Sequence, residues 1–138
     1  MKDSLIVETD LFEHTLAAGT GVITFSPLAQ GILSDKYLGG LPADSRAALW
    51  WDEQYRERMV NGEILTTIRR LNTLAQERGQ SLSQMALAWN LRQPAVTSVL
   101  IGASKVEQIV ENVAALQNLS FSEQELRLID EITTGANV

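Results

Sequence analysis

Two short apolar runs constrain the fold of this 138-residue chain more than any other feature. The first, Val22 to Phe25, ends at Ser26-Pro27, and the second, Thr97 to Ile101, ends at Gly102-Ala103-Ser104. Both runs contain β-branched residues and precede helix-compatible sequence, as buried strands do when they deliver their carboxyl ends into a loop. Such loops hold ligands in α/β folds, because the next helix turns its N-terminus toward them. The runs therefore predict two strands whose ends could form one site.

The remainder of the chain predicts helices. Apolar residues recur at helical spacing over residues 9–18 and 63–78. Three further helices are predicted at capping signatures, a serine followed three residues later by glutamine or glutamate, at Ser81, Ser104 and Ser122. Two parallel strands alone cannot form a stable sheet, because such strands are normally buried on both faces. The pattern predicts either a small, mostly helical domain or one part of a larger α/β fold.

Two segments are less regular. Residues 28–37 predict a short helix or turn, and residues 43–62 predict a long loop with one or two helical turns. The long loop contains Trp50, Trp51 and Tyr55, whose rings could contact a substrate or a partner. The alternative is that these rings pack against the helix that follows, and we favour that interpretation.

Composition excludes several classes of function. The net charge is −6 and the charges are scattered, so non-specific nucleic-acid binding is not expected. The chain has no cysteine, which rules out disulfides and thiolate metal sites and fits a cytoplasmic location. The carboxylates lack metal-ligand spacing, and no apolar stretch is long enough to span a membrane. Because no linker divides the chain, residues 1–138 are predicted to form a single domain.

Three segments resemble aldo-keto reductases. Phe25 to Tyr37 resembles the segment after the seventh strand of that family, and Ile101 to Asn112 resembles the segment after the eighth. Gln84 to Trp89 is similar to the branch that includes potassium-channel beta subunits and bacterial L-glyceraldehyde 3-phosphate reductases. The resemblance extends over residues 9–132. It implies a (β/α)₈ barrel, of which this mostly helical chain would be the C-terminal fragment, with strands seven and eight and their flanking helices.

The resemblance also implies an NADP(H) site at the two strand ends. Ser26 offers a hydroxyl group, the loop offers backbone N–H groups, and Gly31 permits close approach of the backbone. Pro27 is expected to hold Ser26 in an extended conformation. An ordinary turn at a strand end is the alternative. The implied cofactor-binding residues are Ser26, Pro27, Leu28, Gln30, Gly31, Lys36, Arg46, Gly102, Ser104, Gln108 and Asn112.

Several of these residues have a second possible role besides cofactor binding. Lys36 and Arg46 match basic positions that contact the cofactor phosphates, but solvated surface charge is the alternative. Ser104 matches the adenosine end of the site and also suits a helix N-cap. Gln108 and Asn112 are four residues apart, so they would share a helical face toward adenine. The aldose-reductase branch has an arginine at the position of Gln108, so the resemblance does not imply a strict preference for NADP(H).

The family's catalytic residues do not map onto this chain. The family uses an Asp, a Tyr, a Lys and a His, whereas His14, Tyr37 and Tyr55 lie outside its catalytic motifs. We therefore predict no catalytic or metal-binding residue here, and no turnover by the chain alone.

The function implied for the parent protein is NADPH-dependent reduction of aldehydes or ketones, such as small sugar-type aldehydes. A non-catalytic cofactor-binding or regulatory interaction module is the alternative. In either case we expect apolar strand edges and helix faces to be exposed, and with them self-association or a rearrangement of the helices.

Overall fold

The computed structural model describes residues 10–43, 45–59 and 62–134, without the side chains of Arg46 and Arg58. These residues are mostly helical, as predicted. The helices are α1 (Leu11–Ala17), α2 (Arg46–Trp50), α3 (Glu53–Met59), α4 (Gly62–Glu77), α5 (Leu82–Leu91), α6 (Val106–Ala114) and α7 (Glu123–Thr133), and the strands are β1 (Val22–Thr24) and β2 (Val96–Val99). Short 3₁₀ turns lie at Ala29–Gly31, Asp35–Tyr37 and Ala115–Gln117. Thr9, with which the first predicted helix begins, lies outside the described residues.

The two predicted strands form a parallel pair. The register pairs Val22 with Val96, Ile23 with Ser98 and Thr24 with Val99. The Leu100 N–H donates to the Thr24 carbonyl oxygen at 2.8 Å, which extends the hydrogen bonding to the ends of both strands. The strands end at Thr24 and Val99, earlier than the predicted ends at Phe25 and Ile101. Beyond these residues the chain enters the two loops. The parallel direction puts both carboxyl ends at one edge of the sheet.

Gly21 makes room for an irregularity in this pairing. The register shifts between Val22 and Ile23, and Thr97 falls between the residues of β2 that pair with them. A Cβ atom at Gly21 would collide with the Thr97 hydroxyl oxygen and lie 3.0 Å from the Thr97 Cβ. The missing side chain at Gly21 therefore allows Thr97 to fit beside the start of β1.

The hydrophobic core lies where α4 packs against α5 and α7. α5 also contacts β2 and α6, so it joins the helical core to the sheet. The capping boxes predicted at Ser81 and Ser122 are both formed. The core side chains of these three helices include Ile64, Ile68, Leu71, Leu74, Ala75, Leu82, Met85, Ala86, Ile129 and Ile132.

The segment predicted as a long loop is more regular than expected, because it contains α2 and α3. Two capping residues start these helices. The Ser45 hydroxyl accepts from the Ala48 N–H at 3.2 Å, and the Asp52 carboxylate accepts from the Tyr55 N–H at 2.8 Å. Both bonds satisfy donors that the first turn of a helix leaves free.

The aromatic residues of this segment divide between the core and the surface. Trp51 is only 7% exposed and belongs to the core cluster that contains Ile64, and Tyr55 packs against it. The favoured packing interpretation is confirmed for these two rings. It is wrong for Trp50, which is 80% exposed because it lies on the outer side of α2.

Apolar surfaces remain exposed, as expected. One, which we call the α6 apolar face, comprises Val106, Ile109, Val110, Val113 and Leu116. The other lies along and beyond the strands and comprises Ile23, Phe25, Leu100 and Ile101. The helices of the described chain do not fold back over these side chains.

Candidate cofactor site

The loop after β1 has an unusual backbone. Ser26, Ala29 and Gln30 have φ values of 52°, 47° and 58°, in the left-handed region that non-glycine residues seldom occupy, and Gly31 has a φ of 99°. The prediction that Pro27 keeps Ser26 extended is wrong. The Ser26 carbonyl oxygen accepts from the Ala29 N–H at 3.0 Å, and this turn sets the Ser26 backbone. Clusters of such residues are typical of functional sites, where the surrounding structure offsets their strain.

Internal hydrogen bonds fix the loop and leave part of its backbone available. Leu28 C=O accepts from Gly31 N–H at 2.8 Å, and the Ser34 hydroxyl donates to Gly31 C=O at 2.6 Å. Within the described part of the chain, no hydrogen bond uses the N–H groups of Leu28 or Gln30. These two donors are the kind of backbone group that binds an anion.

The loop is anchored on one side and open on the other. Pro27 is buried, and Leu28 packs against the core cluster. Ser26 and Gln30 are exposed, as is Lys36, which lies in the next 3₁₀ turn. The other predicted basic residue, Arg46, lies at the start of α2, and only its backbone is described. Its predicted phosphate contact therefore falls outside the described side chains.

One further contact of this loop has no counterpart in any sequence pattern. The Trp51 indole N–H donates to the Gln30 side-chain oxygen at 3.0 Å, across 21 residues of sequence. Neither residue type carries a spacing rule that would connect them. The contact exists because α2 and α3 fold back beside the loop.

The second strand end supplies polar groups ahead of α6. Gly102 is exposed, and apart from the residues next to it in the chain no atom of the described residues lies within 4 Å of where its Cβ would be. Gln108 is exposed and its side-chain oxygen accepts from the Ser104 N–H at 2.8 Å and from the Ser104 hydroxyl at 3.3 Å. Asn112, predicted to share a helical face with Gln108, is buried.

The prediction that Ser104 caps α6 is wrong. The N-cap is Lys105, which makes no side-chain capping bond. The helix begins one residue later than predicted, and Gln108 rather than Glu107 reaches back to Ser104. The first turn of α6 therefore carries N–H groups that its cap residue does not satisfy, a favourable position for a negative charge.

Known proteins identify the fold. A sequence model described as the Aldo/keto reductase family matches residues 3–134. The chain belongs to this family. The two strand ends described above are accordingly those of a (β/α)₈ barrel, and the described chain is part of such a barrel.

Relatives show how much of an aldo-keto reductase is present. L-glyceraldehyde 3-phosphate reductases from two strains of Escherichia coli are 50% and 49% identical to this chain. Each match covers 82% of this chain and 33% of the relative, so the chain spans about a third of the length of these curated relatives. A crystal structure of a thermostable aldo-keto reductase in complex with the inhibitor epalrestat is 24% identical, with a TM-score of 0.60, and the match covers 95% of this chain and 36% of that one. This second likeness concerns the fold.

The described residues contain no group of three or more His, Cys, Asp or Glu side chains that could hold a metal ion. No helix among them has the length and apolar character needed to cross a membrane.

Proposed function

We propose that this chain forms the NADP(H)-binding, C-terminal portion of an aldo-keto reductase. The observation that carries the proposal is the parallel pairing of β1 and β2, which puts both following loops at one edge of the sheet. In barrel enzymes the site lies at that edge. Both loops offer hydrogen-bond donors suited to phosphate groups. The first offers the exposed Ser26 hydroxyl and the available N–H groups of Leu28 and Gln30, and the second leads into the N–H groups at the start of α6.

Each element would hold a different part of the cofactor. The loop after β1 would bind the pyrophosphate, with Lys36 and Arg46 balancing its charge. The start of α6, with Gly102, Ser104 and Gln108, would bind the adenosine end. NADPH, when bound, supplies a hydride for reduction of a carbonyl carbon.

We propose that the parent protein reduces small sugar-type aldehydes or ketones in the cytoplasm, and that the catalytic tetrad is supplied outside these residues. The names of the two relatives support an aldehyde substrate of this type. Within this chain, Tyr37 is buried under the loop and His14 lies on the exposed side of α1. Neither is placed to give a proton to a substrate at the strand ends.

A titration with NADPH, followed by its fluorescence, tests the binding proposal. We expect saturable binding, and about tenfold weaker affinity for Lys36→Gln, because one charge-assisted contact to a phosphate is lost. Arg127→Gln is the matched control, since it removes one exposed positive charge from α7. The proposal fails if the wild-type chain gives no fluorescence change at millimolar NADPH, or if both variants weaken binding equally.

A further inference from the structure

Trp51 is held in a fixed orientation beside the loop. Its ring centroid lies 5.9 Å from that of Tyr37 and 5.0 Å from that of Tyr55, which meets it edge-on at 87°. The Arg56 guanidinium group donates to the Trp51 carbonyl oxygen at 3.0 Å. Because the ring is buried between two others, the direction of its N–H group is set by packing and not by the loop.

The same aromatic cluster contacts two consecutive residues of the left-handed turn. The Trp51 N–H binds the Gln30 side chain at 3.0 Å. A Cβ atom at Gly31 would lie 3.6 Å from the Tyr37 ring, so that ring packs directly beneath the glycine backbone. Gln30 itself is exposed and has φ and ψ values of 58° and 23°. A left-handed glutamine is strained, and a contact from outside the turn adds to the internal hydrogen bonds that hold it there.

We propose that Trp51 is a positioning residue that holds the turn Ala29–Gly31 through Gln30, and so sets the N–H groups of the loop for the cofactor phosphates. The cofactor part of this inference rests on the proposed function. Residues 46–59, which include α2 and α3, thereby stabilise the conformation of the loop. The residue touches the loop and not the reacting atoms.

Trp51→Phe tests the inference, with Trp50→Phe as the matched control. The first change keeps an aromatic ring but removes the N–H donor, whereas the second alters an exposed neighbour. For Trp51→Phe we expect about tenfold faster amide hydrogen exchange at Gly31, Ile32 and Leu33 and about tenfold weaker NADPH binding, as the loss of one hydrogen bond implies. Trp50→Phe should match the wild-type chain in both measurements.

Gln30→Leu gives an independent route, because this exposed side chain can be changed without opening the core. It should speed exchange as Trp51→Phe does and shift the Trp51 indole N–H resonance in a ¹⁵N–¹H spectrum. The double variant should be no faster than either single variant, since both remove the same bond. A purely structural role of Trp51 in the core would leave the two effects additive.

The outcomes separate the two proposals. Unchanged exchange in both single variants, or additive effects in the double variant, overturns the positioning role whether or not NADPH binds. Faster exchange with unchanged NADPH affinity overturns the inference that Trp51 sets the loop N–H groups for the cofactor phosphates. A wild-type chain that does not bind NADPH, yet shows the coupled exchange effects, overturns the proposed function and leaves the loop contact established.

Discussion

At the scale of single residues, Arg78 shows how one side chain can join two helices. It follows α4, its side chain is only 3% exposed, and its guanidinium group donates to the Glu125 carboxylate of α7 at 2.6 Å. Its other N–H groups reach Ser120 C=O at 2.9 Å and the Gln80 side-chain oxygen at 3.1 Å. The guanidinium group also lies 3.8 Å above the centre of the Phe121 ring. A buried cation is tolerated when it is paired and hydrogen-bonded in this way.

Glu125 makes this connection sensitive to acid. Burial alone would raise the pKa of the Glu125 carboxyl, but the Ser122 backbone and hydroxyl groups and the Arg78 guanidinium together hold that pKa below its ordinary value. A carboxylate of this kind stabilises the fold above its unfolded-state pKa, and the stabilisation is lost as the pH falls through the folded-state pKa. We therefore expect the free energy of unfolding to fall as the pH drops through and below the ordinary glutamate pKa of about 4.3.

Urea unfolding at a series of pH values measures this effect. Glu125→Gln should lose part of the acid-dependent fall, because it cannot titrate. Glu123→Gln is the control, since Glu123 is exposed and its contact with Arg127 is long, at 3.5 Å. Identical pH dependence for Glu125→Gln and the wild-type chain would contradict the assignment.

Residue-level features were predictable from the sequence only where they are local. The capping boxes at Ser81 and Ser122 join residues three apart, so the sequence pattern is sufficient. The bonds from Trp51 to Gln30 and from Arg78 to Glu125 span 21 and 47 residues. They depend on how the helices pack, which no short pattern encodes.

At the scale of elements, Gly21 controls how the two strands meet. A methyl group at this position would collide with Thr97, at the irregular point of the register. We expect Gly21→Ala to lower the free energy of unfolding by about 1–3 kcal/mol, the usual cost of overpacking. Thr97→Ala in the same chain should recover part of this loss, because it removes the colliding oxygen.

Gly62→Ala is the control for the glycine change. A Cβ at Gly62, in the first turn of α4, meets no atom of the described residues within 4 Å apart from its chain neighbours and the backbone of its own helix. This substitution should leave stability unchanged or raise it by up to about 1 kcal/mol, since alanine restricts the unfolded chain. Urea unfolding compares all three variants, and a Gly21→Ala chain as stable as the wild type would refute the steric argument.

The sequence predicts which helices and strands exist better than it predicts where they end or which backbone angles their loops adopt. The strands, α4, α5 and α7 follow from apolar spacing and turn residues. The left-handed backbone at Ser26 does not, because the turn that closes on Ala29 outweighs the extended preference before proline. The cap of α6 was misplaced for a similar reason, since two hydrogen bonds from Ser104 to Gln108 compete with the predicted capping box.

At the scale of the whole molecule, apolar packing is one-sided. α5 is covered by α4 on one side and by β2 and α6 on others, whereas the α6 apolar face points outward. Val106 and Val110, one turn apart on that face, are 70% and 65% exposed. Contiguous exposed apolar surface of this kind marks a contact with another protein surface. The described strands form a single parallel pair, which also leaves backbone groups available at its edges.

We therefore expect the 15.2 kDa chain to self-associate through the α6 apolar face. Light scattering after size exclusion should give a mass above that of one chain, rising with concentration.

Val110→Glu places a charge in the middle of the face and should shift the mass toward that of the monomer, because a carboxylate is costly to bury in an apolar contact. Gln124→Glu adds the same charge at an exposed position of α7 and should leave the mass unchanged, so it separates the local effect from simple repulsion between chains whose net charge is −6. A wild-type chain that is monomeric at every concentration, or equal dissociation by both variants, would show that association does not use this face.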